Sequence, residues 1–359
     1  MKVYLDNAAT TKVDQEIIKV MNSVNYGNPS SLHSFGKDAR KLVEDSRNVI
    51  AKKINANISE IIFTSSGTFA NNLVVFGLDL KGKEVITTPI EHLSVIEPLK
   101  KSGAIIKFVK VDKEGYVDYE NLEKMVNKNT ALVSIIHGNN EIGTIQNLDK
   151  IGKICKNVLL HIDAVQSLTK VPIDVKKFNI NFLTISSHKI HGPKGIAALY
   201  INNEVKLNPI IYGGGQEHGL NSGTENVSSI VGFAEALKLN FQVEKITKLK
   251  DYLINELLKI PKTRLNGPLD RLCNNVNITF FGIEAESLLL HLDSFGIAVS
   301  TGSACSSKKI EPSKVLIAIG LKPKEANSSI RFSLSKCTTK KELDYVIKKV
   351  KFVVEKLRF

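Results

Sequence analysis

The sequence lacks the features of a membrane-bound or exported protein. None of its apolar stretches approaches the roughly 20 residues that a membrane-spanning helix needs. The N-terminal residues MKVYLDNAATTKVD contain no apolar segment of the kind that signal peptides carry. We therefore expect a cytoplasmic protein with no membrane association.

Cysteine is scarce, and no two cysteines form a CxxC pair, which argues against a zinc or thioredoxin-like site. The four are Cys155, Cys273, Cys305 and Cys337. Cys155 and Cys273 have apolar neighbours and are predicted to be small core residues. Cys305 lies in STGSACSS, residues 300–307. The small hydroxyl residues and the glycine of that segment favour an exposed loop in which a thiolate is nucleophilic.

Acidic residues are fewer than basic ones: 36 against 49, for a net charge of +13. The excess is mostly lysine on helical patterns, and no RGG, zinc-finger or RNP-like pattern accompanies it. A solvated lysine-rich surface is the favoured interpretation. A patch for an acidic protein partner or for tRNA is the alternative, and direct nucleic-acid binding is not expected.

The length of 359 residues, with 43% hydrophobic residues, fits two domains or one large and one small domain. Apolar runs alternate with helical patterns, which predicts a mostly parallel sheet with a ligand crevice at the carboxyl ends of its strands. The runs are residues 60–66, 84–89, 104–111, 131–137, 158–163, 181–187 and 196–201. A charged amphipathic stretch near 226–259 follows. Shorter elements then predict a smaller α+β domain: strands at 274–280, 296–301 and 328–335, and helices near 284–294 and 339–358.

The segment TISSHKIHGPKG, residues 184–195, places Lys189 after a buried strand. A lysine amine kept out of bulk water there is a candidate nucleophile that forms a Schiff base with an aldehyde. Ser186, Ser187 and His188 offer hydrogen bonds to a phosphate. The alternative is a surface lysine at a loop entrance.

Two further segments place polar groups at strand ends. Asp163 ends an apolar strand in HIDAVQS, with Gln166 three residues on. A buried carboxylate needs a partner, and a protonated pyridine nitrogen is one, although Asp163 also fits a helix N-cap. His92 follows a strand in TPIEHLSV, where an imidazole could lie over a cofactor ring or relay a proton. A capping or surface histidine is the alternative.

Further candidates come from three other segments. Gly67 and Thr68, in SSGTFANN, stand at a strand-to-helix junction whose free N–H groups bind phosphate. Asn140, in HGNNEIGT, is interpreted as a ligand contact, or else as part of a turn. Arg331, in SSIRFSLS, suits a substrate carboxylate, with a structural salt bridge as the alternative.

In their order and spacing these segments resemble the cysteine desulfurases of the NifS/IscS type. That family belongs to the class V aminotransferase group and to the fold type I enzymes that use pyridoxal 5′-phosphate (PLP). The resemblance covers nearly the whole chain. Its further motifs are YLDNAATT (4–11), YGNPSSLHSFG (26–36), GGGQEHG (213–219) and SGTEN (222–226).

The resemblance implies an α/β fold of PLP fold type I. A large PLP-binding domain with a mostly parallel seven-stranded sheet would span residues 15–243. Residues 1–14 and 244–359 would form the small domain, which carries the loop of the catalytic cysteine. The resemblance also implies a homodimer with shared sites.

The resemblance implies roles at matching positions. Lys189 would bind PLP covalently and remove the Cα proton of L-cysteine, and Cys305 would take its sulfur as a persulfide. His92 would stack on the ring and help to move protons. The remaining cofactor contacts would be Asp163 and Gln166 at the ring and Gly67, Thr68, Ser186 and His188 at the phosphate, with Thr224 reaching the phosphate of the neighbouring subunit. Arg331 and Asn140 would hold the substrate carboxylate, Asn140 would also contact the cofactor, and no metal site is implied.

The resemblance also implies an acceptor for the sulfur, which would be an iron–sulfur scaffold or a tRNA-thiolation protein. Four positions depart from the family pattern: Phe69, Leu93, His218 and Asn221. Leu93, His218 and Asn221 motivate an alternative activity, a selenocysteine lyase on the same scaffold. A non-catalytic relative that keeps the fold is the third hypothesis.

Overall fold

A computed structural model describes residues 1–301 and 311–358. Its strands, in chain order, are β1 (Val3–Tyr4), β2 (Ile61–Thr64), β3 (Glu84–Thr87), β4 (Ile105–Phe108), β5 (Thr130–Ile136), β6 (Leu159–Asp163), β7 (Phe182–Ser186), β8 (Ala197–Ile201), β9 (Thr263–Leu265), β10 (Asn275–Phe280), β11 (Ile297–Ala298), β12 (Ser300–Thr301) and β13 (Ser329–Ser333).

Its helices are α1 (Gln15–Asn22), α2 (Ser34–Ile54), α3 (Gly67–Gly77), α4 (Leu93–Lys101), α5 (Tyr119–Met125), α6 (Leu148–Ile154), α7 (Val227–Lys238), α8 (Val243–Leu258), α9 (Ala285–Ser294), α10 (Lys314–Ala318), α11 (Pro323–Ala326) and α12 (Lys340–Arg358). Within the described ranges, no helix combines the length and apolar character that crossing a membrane requires.

A seven-stranded sheet lies at the centre of the larger part of the described chain, in the order β2-β8-β7-β6-β5-β3-β4. β8 runs antiparallel to both of its neighbours, and the other pairs are parallel. The predicted mostly parallel seven-stranded sheet is therefore confirmed. Its parallel strands end at one edge, so the segments that follow them meet there.

Both faces of this sheet are covered by packed side chains. Successive residues of a strand point to opposite faces. Ile62 accordingly packs in one apolar cluster and Phe63 in another, and Leu132 and Val133 divide in the same way. A strand buried on both faces has no polar face to expose, which explains the nearly continuous apolar runs of the sequence.

The smaller part of the fold is built on the antiparallel sheet β12-β13-β10-β9. Its core combines side chains from α8, α9 and α12 with Val3 and Leu5 from the N-terminal segment. β1 pairs with β11, which ties the first residues of the chain to this part of the fold. The proposed domain limits at residues 15 and 243 stay a prediction.

The amphipathic stretch near 226–259 differs from one continuous helix. Leu239 takes an extended conformation and ends α7, and Gln242 takes a left-handed conformation with φ of 58° before α8 begins. Neither glycine nor proline marks this break. The predicted strand at 296–301 is likewise divided into β11 and β12.

Candidate active site

Lys189 lies just beyond β7, in a single 3-10 turn from Ser187 to Lys189, and is half-buried. Its Nζ donates to the carbonyl oxygens of Ala8, at 2.5 Å, and Ala9, at 2.7 Å. Gln166 Nε2 donates to the same Ala8 oxygen at 2.8 Å. The structure thus brings the lysine and the glutamine together on one backbone carbonyl of the N-terminal segment, which the sequence did not point to.

Asp163 is the last residue of β6 and is buried. Its Oδ1 accepts a hydrogen bond from the Val165 amide at 3.0 Å, and its Oδ2 accepts one from Asn71 Nδ2 at 3.1 Å. These two bonds fix the carboxylate plane. Asn71, on α3, is a site residue that the sequence analysis missed, although the Asn-Asn pair of SSGTFANN was a visible signal.

His92 is the N-cap residue of α4, so the capping interpretation is correct for its local structure. Its Nδ1 accepts a hydrogen bond from the Ser94 amide at 3.1 Å and lies 2.7 Å from Ser94 Oγ. Part of its surface is exposed and, with Thr68 and Leu93, lines a cavity of about 410 Å³. The packed protein atoms around the ring lower the pKa of His92 by desolvation; Asp163 opposes this shift and Lys189 adds to it.

A second cavity, of about 280 Å³, lies beside Lys189 at the start of α3. Its lining includes Ser65, Ser66, Ser186, His188 and Lys194. Ser66 caps α3 by accepting from the Phe69 amide at 3.1 Å. The amides of Gly67 and Thr68 precede the first intrahelical hydrogen bonds and are available to an anion.

The other contacts around this cavity come from the segment after β7. His188 Nδ1 lies 3.2 Å from Thr10 Oγ1, and burial together with Lys189 and Lys194 lowers the pKa of His188 to about 4. Ser187 Oγ is buried without a hydrogen-bond partner among the described residues. Ser65 and Ser66 were not singled out from the sequence.

The groups that line the second cavity, together with Lys189 and Asp163, fit PLP. Hydroxyl groups and the N-terminus of α3 suit its phosphate, and a nearby amine suits its aldehyde. The fixed carboxylate of Asp163 suits a protonated pyridine nitrogen. A Cβ at Gly67 would lie 3.0 Å from Val165 Cγ2, so the backbone there has little room for a side chain.

Arg331, in the middle of β13, is buried and forms the structural salt bridge that was the alternative, while its role toward a substrate carboxylate stays a prediction. Its Nη2 forms a salt bridge with Asp6 Oδ1 at 2.8 Å. Its Nη1 donates to the backbone carbonyl of Asn140 at 3.3 Å. The structure therefore brings Arg331 and Asn140 together and adds Asp6, which had not been assigned to the site.

Thr224 is exposed and, among the described residues, makes no hydrogen bond to the other predicted site residues. It follows a loop that is anchored by a buried ion pair. Glu217 accepts from both Nη atoms of Arg47 at 2.8 Å and from the Phe63 amide at 2.6 Å. The anchored loop places Thr224 at the surface, where a second subunit could meet it.

Cys305 lies outside the described residues.

The chain matches the aminotransferase class V family model over residues 3–346. It is 46% identical to the cysteine desulfurase IscS of Dictyoglomus turgidum, covering 99% of this chain and 95% of that protein. It is 44% identical to IscS 1 of Archaeoglobus fulgidus, covering 99% and 97%. A solved NifS-like protein superimposes with a TM-score of 0.93 at 37% identity, covering 99% of this chain and all of the other. A NifS-like protein from Rickettsia africae gives 0.91 at 36% identity, with the same coverage.

The chain therefore belongs to the class V aminotransferases and, within them, to the cysteine desulfurases of the IscS and NifS type. This confirms the predicted family, the fold and the desulfurase activity. The relatives' names do not favour the selenocysteine lyase alternative. The family uses PLP in general.

Proposed function

We propose that this chain converts L-cysteine to L-alanine with PLP bound between its two cavities. One observation supports this proposal above the others: Lys189 and Gln166 both donate to the carbonyl oxygen of Ala8. The two side chains therefore lie together beside the second cavity, where the phosphate would bind. Asp163 stands at the end of the neighbouring strand. The desulfurase activity follows from the family, and we propose the individual residue roles that would produce it.

PLP, when bound, supplies the electron sink that acidifies the Cα–H bond of the substrate. Lys189 would anchor the cofactor through Nζ and, once released, take the Cα proton. In the structure, the carbonyls of Ala8 and Ala9 accept hydrogen bonds from that nitrogen. Asp163 and Gln166 would hold the ring, with Ser186, His188, Gly67 and Thr68 at the phosphate.

Arg331 would bind the substrate carboxylate through its guanidinium fork, with Asn140 beside it. The guanidinium already bonds to the Asp6 carboxylate in this structure, so its orientation is fixed from one side. An incoming carboxylate would meet a positive group whose side chain needs no further ordering. This arrangement favours amino acids with a free α-carboxylate over esters or amides.

Cys305 would accept the sulfur. Its thiolate forms a sulfur–sulfur bond as the substrate Cβ–S bond breaks, and protonation of the remaining carbon skeleton gives L-alanine. The persulfide would pass to an acceptor protein, either an iron–sulfur scaffold or a tRNA-thiolation protein. We also propose a cytoplasmic homodimer, in which Thr224 of one subunit contacts the phosphate bound by its partner.

The test is alanine and sulfide formation from L-cysteine with a thiol reductant. Cys305→Ala is expected to keep the absorbance of the bound cofactor and to lose most of the alanine formation. Cys337→Ala is the matched control, because Cys337 is an exposed thiol outside the proposed site. Full activity of Cys305→Ala would refute the persulfide role, whereas an inactive wild-type enzyme with bound PLP would refute the activity itself.

A further inference from the structure

His92 is placed where a positive charge is unfavourable. It is the N-cap of α4, a helix of nine residues whose amide dipoles give this end a partial positive charge. Desolvation and Lys189 lower its pKa, and Asp163 offsets only part of that shift. The imidazole is therefore neutral near pH 7 and carries a single N–H, whose position the surrounding hydrogen bonds decide.

A chain of three hydrogen bonds links His92 to Asp163. Asp163 Oδ2 lies 3.1 Å from Asn71 Nδ2, which lies 2.8 Å from Ser94 Oγ. Ser94 Oγ then lies 2.7 Å from His92 Nδ1. Asn71 is fully buried, Asp163 is 3% exposed and Ser94 is 8% exposed, so water has little access to the two bonds that join these three residues.

The negative charge of Asp163 determines which atom donates and which accepts in each of these hydrogen bonds. The Asn71 amide group has two N–H donors, which serve Asp163 and Ser94 together. The opposite orientation would set Asn71 Oδ1 against a carboxylate oxygen, two acceptors in contact. Ser94 Oγ thus accepts from Asn71 and directs its own hydrogen to His92 Nδ1.

The Ser94 amide donates to the same nitrogen. Nδ1 therefore receives two donors and carries no proton, which leaves the proton of the neutral ring on Nε2. His92 sits at the edge of the larger cavity, so Nε2 is the nitrogen that remains for a ligand.

We propose that Asn71 and Ser94 are positioning residues that hold His92 as the Nε2–H tautomer, so that His92 offers substrate and cofactor a hydrogen-bond donor and not a base. This inference rests on the proposed function and narrows the role that the resemblance implied for His92. The resemblance gave His92 a share in moving protons. A neutral imidazole in this tautomer cannot accept a proton at Nε2, so Lys189 remains the proton acceptor at the substrate Cα.

The tautomer is tested by nitrogen-15 NMR of enzyme labelled in its histidine rings, both loaded with PLP and cofactor-free. His92→Asn, which keeps a residue suited to capping α4, assigns the His92 signals. The wild-type enzyme is expected to show a proton-bearing Nε2 and an unprotonated Nδ1 in both forms.

Ser94→Ala removes the hydroxyl donor, so the two nitrogen signals of His92 are expected to move toward each other as the tautomers mix. The kcat for alanine formation is expected to fall roughly fivefold, as for the loss of one hydrogen bond. Ser94→Thr keeps the hydroxyl and should restore both readouts. Ser102→Ala, at the far end of α4 with its hydroxyl on the Leu99 carbonyl, is the matched control and should change neither.

A proton on Nδ1 in the wild-type enzyme would overturn the inference, and so would nitrogen signals that do not change in Ser94→Ala. The NMR readout does not depend on turnover. Cofactor-free enzyme with the expected tautomer but no alanine formation after PLP loading would support the positioning roles and count against the proposed function.

Discussion

The buried ion pair between Arg47 and Glu217 gives a sharp test of how the loop before Thr224 is held. The two side chains are 6% and 3% exposed. Besides Glu217, Arg47 donates to the carbonyl of Ile61 at 2.7 Å and to the half-exposed Glu44 at 3.1 Å. The perturbation is a double-mutant cycle with Glu217→Gln, Arg47→Met and the combined variant.

The expected magnitude follows from burial. Glu217→Gln leaves a buried guanidinium with Glu44 as its one remaining carboxylate partner among the described residues, and Arg47→Met leaves a buried carboxylate with the Phe63 amide. Removing one partner of a buried pair typically costs about 3–5 kcal/mol, because the other charge stays desolvated. The combined variant removes both charges, so its loss should be smaller than the sum by several kcal/mol.

The assay is urea unfolding followed by far-UV circular dichroism, at one protein concentration and with saturating PLP in every sample. Glu44→Gln is the control, because it removes the exposed carboxylate from the same arginine. It should cost less than about 1 kcal/mol. A combined variant whose loss equals the sum of the single losses to within about 0.5 kcal/mol would refute the coupling.

Three further predictions concern Glu91, the buried residue that precedes His92, and the site residues Arg331 and Gly67. Burial raises the pKa of Glu91 to about 8 from an ordinary 4.5. The fold therefore holds this proton more tightly than the unfolded chain, and stability falls as pH rises between those values. Glu91→Gln should reduce that fall when unfolding is compared at pH 5 and pH 8, and an unchanged slope would contradict it. Arg331→Lys should raise KM for cysteine at least tenfold, since lysine lacks the guanidinium fork; steady-state kinetics with an unchanged KM would exclude carboxylate binding. Gly67→Ala should weaken PLP binding in a cofactor titration, because the added Cβ would press on Val165. An unaltered affinity would contradict the role of the Gly67 backbone in binding the phosphate.

The central sheet could be predicted because the apolar runs that form its strands are visible in the local sequence. Strands buried on both faces need continuous apolar runs, and residues after parallel strands must meet at one edge. This reasoning found Lys189, Asp163 and His92 as candidates without any relative. It could not separate α7 from α8, since the left-handed Gln242 carries no glycine or proline signal.

The missed parts of the site depend on backbone groups and on pairs distant in sequence. The carbonyls of Ala8 and Ala9 belong to the backbone, so a side-chain pattern does not reveal them. The residues around Asp6 give no sign that it pairs with Arg331. Asn71 and Ser94 contact each other, and Asn71 contacts Asp163, only when α3 and α4 pack beside the end of β6. Such contacts are set by tertiary structure, which local sequence does not encode.

The contacts of the N-terminal segment also bear on the order in which the active site forms during synthesis. The amide of Ala8 donates to Ser333 Oγ at 2.8 Å, and Asn7 Nδ2 donates to the carbonyl of the same serine at 2.8 Å. The N-terminal segment that contacts Lys189 is thus held in part by Ser333, a residue made more than 300 positions later. During synthesis the large sheet can assemble before β13 has left the ribosome, whereas the bonds of Asn7 and Ala8 to Ser333 form only after it. The segment whose carbonyls contact Lys189 therefore gains its last support late in the synthesis of each chain, and a nascent chain halted before β13 should hold Lys189 less firmly.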